Sequence, residues 1–260
     1  MSKSALRVLE IMEFIAEKPA GCTHTTLAQQ LKIPKSSLTV LLQDLVSKGY
    51  LQRHPETAVF TVGVQVLWLA NSYLRNLNLV RIGQPLVAQV FTALAQFAFM
   101  GVPQGREYVI VCTESLPSIF AHTLQVGQRG PLYCSAVGRA MLAFMPAAQV
   151  DDILSGPRPA VTSRTRTSLR EAKAAVERTR ATGIGYADEE SIAGVLGWAA
   201  PVFGANGQPV AAIGVGIPTG EYKASLLPRI ERTLKAAARA MSEQLGCREY
   251  PGLGPAARAA

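Results

Sequence analysis

Over the first hundred residues the apolar positions recur mostly at helical spacing, and beyond them strand-like and helical stretches alternate. Leu6, Leu9, Met12 and Ile15 predict a helix from Ser4 to about Glu17, stopped by Pro19, Ala20 and Gly21. Leu27, Ala28 and Leu31 give a second, short helical stripe. Leu38, Leu41, Leu42 and Leu45 follow at i, i+3, i+4 and i+7, with Pro34 suited to the first helical position and Gly49 to the left-handed residue past the end. "YLQRHPETAVFTV" predicts two strands around a breaker. From Gly63 to Phe97 the pattern is helical, with Pro85 starting a new helix.

Further on, "EYVIVC" and "SIFAHTL" read as strands and "SAVGRAMLAFM" as a helix. "SLREAKAAVERTRATG" reads as a helix with a capping box from Ser168 to Glu171 and a stop at Gly183. "VLGWAAPVF" and "PVAAIGVGI" are apolar strands joined around Asn206 and Gly207. A last helix carries Leu226, Ile230, Leu234, Met241 and Leu245 on one face and ends at Gly246. The fold class is therefore α+β, a mostly antiparallel sheet with helices on one or both faces.

Two helices joined by the tight turn at Lys32 to Pro34, followed by a hairpin, predict a winged helix-turn-helix. A small three-helix interaction module would give the same pattern. The outward face of the third helix carries Lys35, Ser36, Ser37, Thr39, Gln43 and Asp44, and the wing carries Arg53 and His54. These short hydrogen-bonding groups and cations suit a duplex partner, phosphates first and base edges second.

At 260 residues the chain has room for two domains, and 48% hydrophobic residues suffice for packed cores. The formal charge of +8 changes the picture little, because residues 1–63 hold seven Lys or Arg against five Asp or Glu, a net of only +2. Cys22, Cys112, Cys134 and Cys247 are scattered without a C-x-x-C pair, so no metal centre and no cofactor is expected. Glu10, Glu13 and Glu17 interrupt the early apolar helix and argue against a signal peptide, and no apolar run reaches the roughly 18 residues of a membrane span. A cytoplasmic protein without membrane contact is expected.

"GPLYCSAVGRAML" brings a strand ending near Tyr133 to a helix that starts around Ser135 to Gly138, where free N–H groups would suit a small carboxylate. The same stretch admits an enzyme reading, with Cys134 as a nucleophile of lowered pKa and His122 as its base. The chain has three histidines and neither G-x-S-x-G, a P-loop nor H-E-x-x-H, which leaves that reading without a second catalytic element.

In order and spacing, "GYLQR", "FTVG", "GPLYCSAVGRAMLA", "GIGYADEESIAGVLGWAAPVF" and "PVAAIGVGIP" resemble the IclR family of bacterial transcription regulators, from about Leu6 to Gly246. The resemblance implies a winged helix-turn-helix over 1–63, a linker helix over 64–84, a GAF-like effector-binding domain over 85–247 and a disordered tail over 248–260. It implies binding of double-stranded operator DNA as a homodimer or tetramer, with a small-molecule effector and no catalysis. By motif it carries effector contacts onto Cys134, Ser135, Ala136, Val137, Ala187, Val195, Gly197, Gly214 and Gly216, and more loosely onto Ile119 and His122. The chain departs from the family at Val40, where an arginine is common. Direct guanine readout is lost there, and a metabolite sensor that no longer binds DNA becomes the alternative. Gly214 and Gly216 stand where members that bind very small keto acids tend to carry serines, which predicts a roomier, less polar cavity and an aromatic carboxylate.

Overall fold

Leu38, Leu42 and Leu45 are buried, and with Ile11, Ile15, Leu27, Leu51 and Phe60 they form one core. This core belongs to the first of two units, Met1–Leu77 and Asn78–Ala260, of a computed structural model that describes residues 3–76, 78–115 and 124–252. The N-terminal unit runs α1 (Lys3–Ala16), β1 (Cys22–Thr23), α2 (His24–Gln30), α3 (Lys35–Ser47), β2 (Leu51–Arg53), β3 (Val59–Val62) and α4 (Gln65–Asn76). Its antiparallel sheet has the order β1-β3-β2, with Phe60 opposite both Cys22 and Arg53. Helix α3 ends at Gly49, which takes the expected left-handed conformation at φ 75°.

Two expectations shift here, and one short strand is added. The inward stripe of α1 is Val8, Ile11, Met12 and Ile15, whereas Leu6 and Leu9 are 41% and 58% exposed. A stripe centred on Ile11 satisfies the 3- and 4-residue spacing better than one started at Leu6. Pro34 caps α3 from outside, with ψ 135°, instead of forming its first residue. Strand β1, two residues long, is too short to leave a periodic signal.

The C-terminal unit opens with α5 (Asn78–Leu94), and Pro85 lies inside that helix. Both Pro85 and Arg81 face solvent, so the Arg81 carbonyl that loses its donor is free to bond water. Leu79, Val80 and Ile82 pack on the C-terminal core, which places the start of α5 in that unit and not in a separate linker. There follow β4 (Phe97–Gln104), β5 (Glu107–Glu114), β6 (Arg129–Pro131), α6 (Ala136–Leu142), α7 (Ala147–Ser155) and α8 (Leu169–Thr182). The unit closes with β7 (Gly185–Asp188), β8 (Val195–Phe203), β9 (Pro209–Pro218) and α9 (Leu227–Gln244). The described strands form an antiparallel sheet in the order β6-β5-β4-β9-β8-β7. Helices α5 and α9 cover one face, while α6 and α8 cover the other, so the architecture is mixed α+β with a helical layer on each side.

Strand β4 reads poorly from sequence because it is central and buried on both faces, which removes the alternation that marks a half-exposed strand. The β8–β9 turn forms at Asn206 and Gly207 as its residues dictate, with Gly207 at φ 71°. Ser168 caps α8, accepting from the Glu171 N–H at 3.2 Å, and Gly183 closes it at φ 73°. The expected strand "SIFAHTL" falls almost wholly on 116–123, outside the described residues, as does the chain from 253 onward. Before that point the chain is packed and not a loose tail: Tyr250 donates to the Pro201 carbonyl at 2.8 Å and meets Phe203 edge-on.

The junction of β8 with α9 depends on one hydroxyl. Ser242 Oγ accepts from the Phe203 N–H at 2.9 Å and donates to the Ala238 carbonyl, all within the core. Ser242→Ala should therefore cost about 1–3 kcal/mol in urea unfolding, because it strands a buried N–H, with no compensating gain from the removed oxygen.

Candidate functional site

In the N-terminal unit, α3 presents its polar face to solvent because its leucine stripe is spent on the core. Lys35, Ser36, Thr39 and Gln43 are exposed, Ser37 is half-buried and Val40 is 56% exposed. Between this face, the start of α2 and the wing lies a groove of about 700 Å³. It brings Thr39, Gln43 and Arg53 together with His24 and Ser47, whereas Lys35, Ser36, Ser37, Val40 and His54 lie outside it.

His24 is a residue the sequence reading missed. The Thr39 hydroxyl donates to the Lys35 carbonyl at 2.9 Å, so the Nε2–H of His24 donates to Thr39 Oγ1 at 3.0 Å. Thr39 is thereby a braced hydroxyl and not a free donor. In the wing, His54 is bonded through Nε2 to the Thr61 hydroxyl at 3.1 Å, which leaves Arg53 as the open cation of the two. The only sequence signal for His24 was its place beside Thr23, whose hydroxyl caps α2 by accepting from Thr26.

In the C-terminal unit, α6 begins as its residues require. Ser135 Oγ accepts from the Gly138 N–H at 3.0 Å and donates to the Pro131 carbonyl at 2.8 Å. Gly138 itself is obligatory, since a Cβ there would run into the Leu132 carbonyl. Ala136 and Val137 are then the first helical residues, whose N–H groups have no acceptor within the helix. Ser135, Ala136, Val137, Val195, Gly197 and Gly216 line one small cavity. Phe99, Tyr108, Ser191 and Ile192, which sequence reasoning did not single out, line it as well.

Several predicted residues fall elsewhere. Gly214 and Ala187 do not line that cavity: Gly214 is the place where β9 meets α6, with Val137 Cγ2 3.0 Å from where its Cβ would be. Ala187 is buried opposite Gly197 across the β7–β8 ladder. The cavity measures about 30 Å³. The volume that the glycines release is taken up by Val137, Phe99 and Ala136. Cys134 is fully buried and lies outside the cavity, and burial pushes its thiol up to about 11, the opposite of an activated nucleophile. Ile119 and His122 lie outside the described residues. Among the described residues no group of three His, Cys, Asp or Glu side chains gathers to hold a metal, and no helix is long and apolar enough to cross a membrane.

The sequence profile of the IclR helix-turn-helix domain matches residues 4–55, and that of the bacterial transcriptional regulator IclR C-terminal domain matches 71–243. The chain belongs to the IclR family of bacterial transcription regulators. It is 27% identical over 252 residues to the HTH-type transcriptional regulator KdgR of Escherichia coli K12, covering 95% of this chain and 94% of the relative. It is 27% identical over 245 residues to the Pca regulon regulatory protein of Pseudomonas putida, covering 93% and 84%. The crystal structure of a transcriptional regulator from Rhodococcus sp. RHA1 superposes with a TM-score of 0.82 at 27% identity, covering 94% and 98%. As an IclR-family regulator, the chain carries an N-terminal DNA-binding helix-turn-helix and a C-terminal effector domain.

One buried ion pair ties α6 to the sheet. Arg139 makes two 2.7 Å bonds to the carboxylate of Glu190 and donates to the carbonyls of Tyr186 and Tyr133. The side chains are 3% and 2% exposed. Glu190 directly precedes Ser191 and Ile192 of the cavity wall. Arg139→Met should destabilise the fold by about 3–5 kcal/mol in denaturant titration, since it leaves a buried carboxylate unpaired. The double variant Arg139→Met, Glu190→Leu should recover a large part of that loss.

Proposed function

We propose that the chain regulates transcription as a homodimer on a pseudo-palindromic operator, with a small carboxylate as the effector of its C-terminal domain. The observation that carries the dimer is apolar surface left open on the N-terminal unit. Val64, Leu67, Trp68 and Leu69 in and beside α4 are 46–79% exposed, and Leu6, Leu9 and Val62 add to them. Monomers rarely leave so many large apolar side chains in water. A two-fold partner that covers them would present two α3 helices to successive major grooves, about one helical turn apart.

In this reading Lys35, Ser36 and Ser37 hold phosphates, Gln43 and Val40 face base edges, and Arg53 with His54 hold the flank of the site. Val40 offers only apolar contact, for which a thymine methyl is the complement. Lys35→Ala and Arg53→Ala should each weaken operator binding and flatten its salt dependence by about one counterion in a titration from 50 to 200 mM salt. Absence of salt-sensitive binding to DNA beside its own gene would favour the sensor that no longer binds DNA. Trp68→Asp should convert the dimer to monomer in sedimentation and reduce operator affinity with it.

The effector reading places a carboxylate on the amides of Ala136 and Val137, beside Val195, Gly197 and Gly216. At about 30 Å³ the cavity is small, so in this reading a bound acid widens it at Ser191 and Ile192 while Glu190 keeps its bonds to Arg139. The effector is read as a small carboxylate, aliphatic or aromatic, so glyoxylate, pyruvate and benzoate-type acids are the ones to titrate. Their affinity measured by calorimetry with and without operator should differ by the same factor that the acid imposes on operator affinity, a coupling of about 1–3 kcal/mol. Equal affinities in the two titrations would uncouple this cavity from DNA binding.

A further inference from the structure

The free edge of the C-terminal sheet borders a second cavity that the regulatory scheme does not use. Among the described strands β7 pairs only with β8. Beyond its open side, between the C-terminal half of α8 and the start of α9, lies a groove of about 390 Å³. That volume falls within the range of roughly 300–1,000 Å³ common to small-molecule sites. It is more than ten times the volume of the cavity at the start of α6.

Three features of the groove specify a ligand. One wall is a row of aromatic rings, Tyr186, Trp198 and Tyr222, with successive centroids 5.2 and 5.0 Å apart. Tyr186 is 42% exposed, an aromatic face left open to solvent at the end of the row. At the rim stand two arginines. Among the described residues nothing pairs with the guanidinium of Arg178, and Arg166 approaches Glu190 only at 3.9 Å. The charged residues of the lining are Arg139, Arg166 and Arg178 against Glu190 and Glu231, three cations to two anions, a net of +1.

We propose that this groove is a second ligand site and that it takes a planar aromatic monocarboxylate. The ring would stack on the exposed face of the row, where aromatic rings gain from offset or tilted contact. The carboxylate would take the forked donors of Arg178 and Arg166, whose planar geometry matches two oxygens. The net charge of the lining balances one negative charge, and Glu231 disfavours a dianion such as phosphate. The floor is the Arg139–Glu190 pair, so the site abuts α6 and the cavity loop.

The test uses the full-length protein, no DNA, and 2-naphthoate as probe, with Arg178→Ala and Tyr186→Ala separating this groove from the cavity at the start of α6. Calorimetry should give one saturable site per chain, at least fivefold weaker in Arg178→Ala and in Tyr186→Ala. Tyr186→Phe, which keeps the ring, should retain affinity, and Arg170→Ala, an exposed arginine at the start of α8, should bind as the unmodified chain does. The chain has two tryptophans, so in Trp68→Phe the protein emission comes from Trp198 alone and, titrated with benzoate as a non-emitting aromatic acid, should change with the midpoint that calorimetry gives for benzoate. No saturable heat, unchanged affinity in either Arg178→Ala or Tyr186→Ala, loss in Tyr186→Phe, or a silent Trp198 would each overturn the proposal. So would competition by inorganic phosphate as strong as that by a second aromatic acid.

Discussion

The C-terminal domain is organised around the charge pair between Arg139 and Glu190. Two ions removed from water cost several kcal/mol each, and the attraction repays this only when every donor and acceptor finds a partner. Here each buried nitrogen and oxygen of the pair has one. The guanidinium grips the carboxylate with two bonds and donates to the Tyr133 and Tyr186 carbonyls as well, while Glu190 also accepts from the Arg166 backbone N–H at 3.3 Å. Those partners sit on the strand-to-helix junction before α6, on the edge strand β7 and on the 162–166 loop. Thr162 and Thr165 add bonds to the Glu189 and Glu190 carbonyls, so the loop that walls the small cavity is held from behind.

The same pair explains how an open sheet edge is made safe. A free edge presents unpaired carbonyls and N–H groups that invite another strand. The Tyr186 carbonyl is taken by Arg139 at 2.6 Å, and Asp188 and Glu189 meet Arg164 at 2.9 and 2.7 Å. An edge so engaged by side chains is a poor template for strand addition. What remains open beside it is side-chain surface, aromatic on one side and cationic on the other, which is the composition of a ligand groove more than of a pairing strand.

Where local chemistry sets the structure, the sequence was legible. The α3 leucines, the Ser168–Glu171 cap, Gly183, the Asn206–Gly207 turn and the Ser135 start of α6 each act over a few residues, and each is found where its chemistry places it. The candidate site was legible in part for the same reason, through the α6 start and the strand residues Val195, Gly197 and Gly216. The rest depends on distance in sequence. Arg139 and Glu190 are separated by 51 positions, and an arginine in "AVGRAML" carries no mark of burial. The size of the cavity could not be read from Gly214 either, because a glycine specifies absent volume and not which neighbour fills it. Val137 and Phe99 fill it, and only the register of β9 against β4, Gly214 opposite Phe99, brings them there.

The DNA-binding face shows the same division between what a residue type offers and what its neighbours leave it. Thr39 offers a hydroxyl that rotates to suit a base edge or a phosphate, yet the Lys35 carbonyl takes its proton and His24 takes a lone pair. Its side chain is then fixed, and since the Ser47 hydroxyl likewise donates to the Asp44 carbonyl at 2.8 Å, the open polar groups of the groove are Gln43 and Arg53. With Val40 apolar and Thr39 braced, the middle of the exposed helix face is mainly apolar surface, and its open polar side chains stand at the first turn, in Lys35 and Ser36, and at the groove end, in Gln43 and Arg53. On the proposed duplex reading, such a face would meet phosphates at both ends and read sequence between them more by shape than by paired hydrogen bonds.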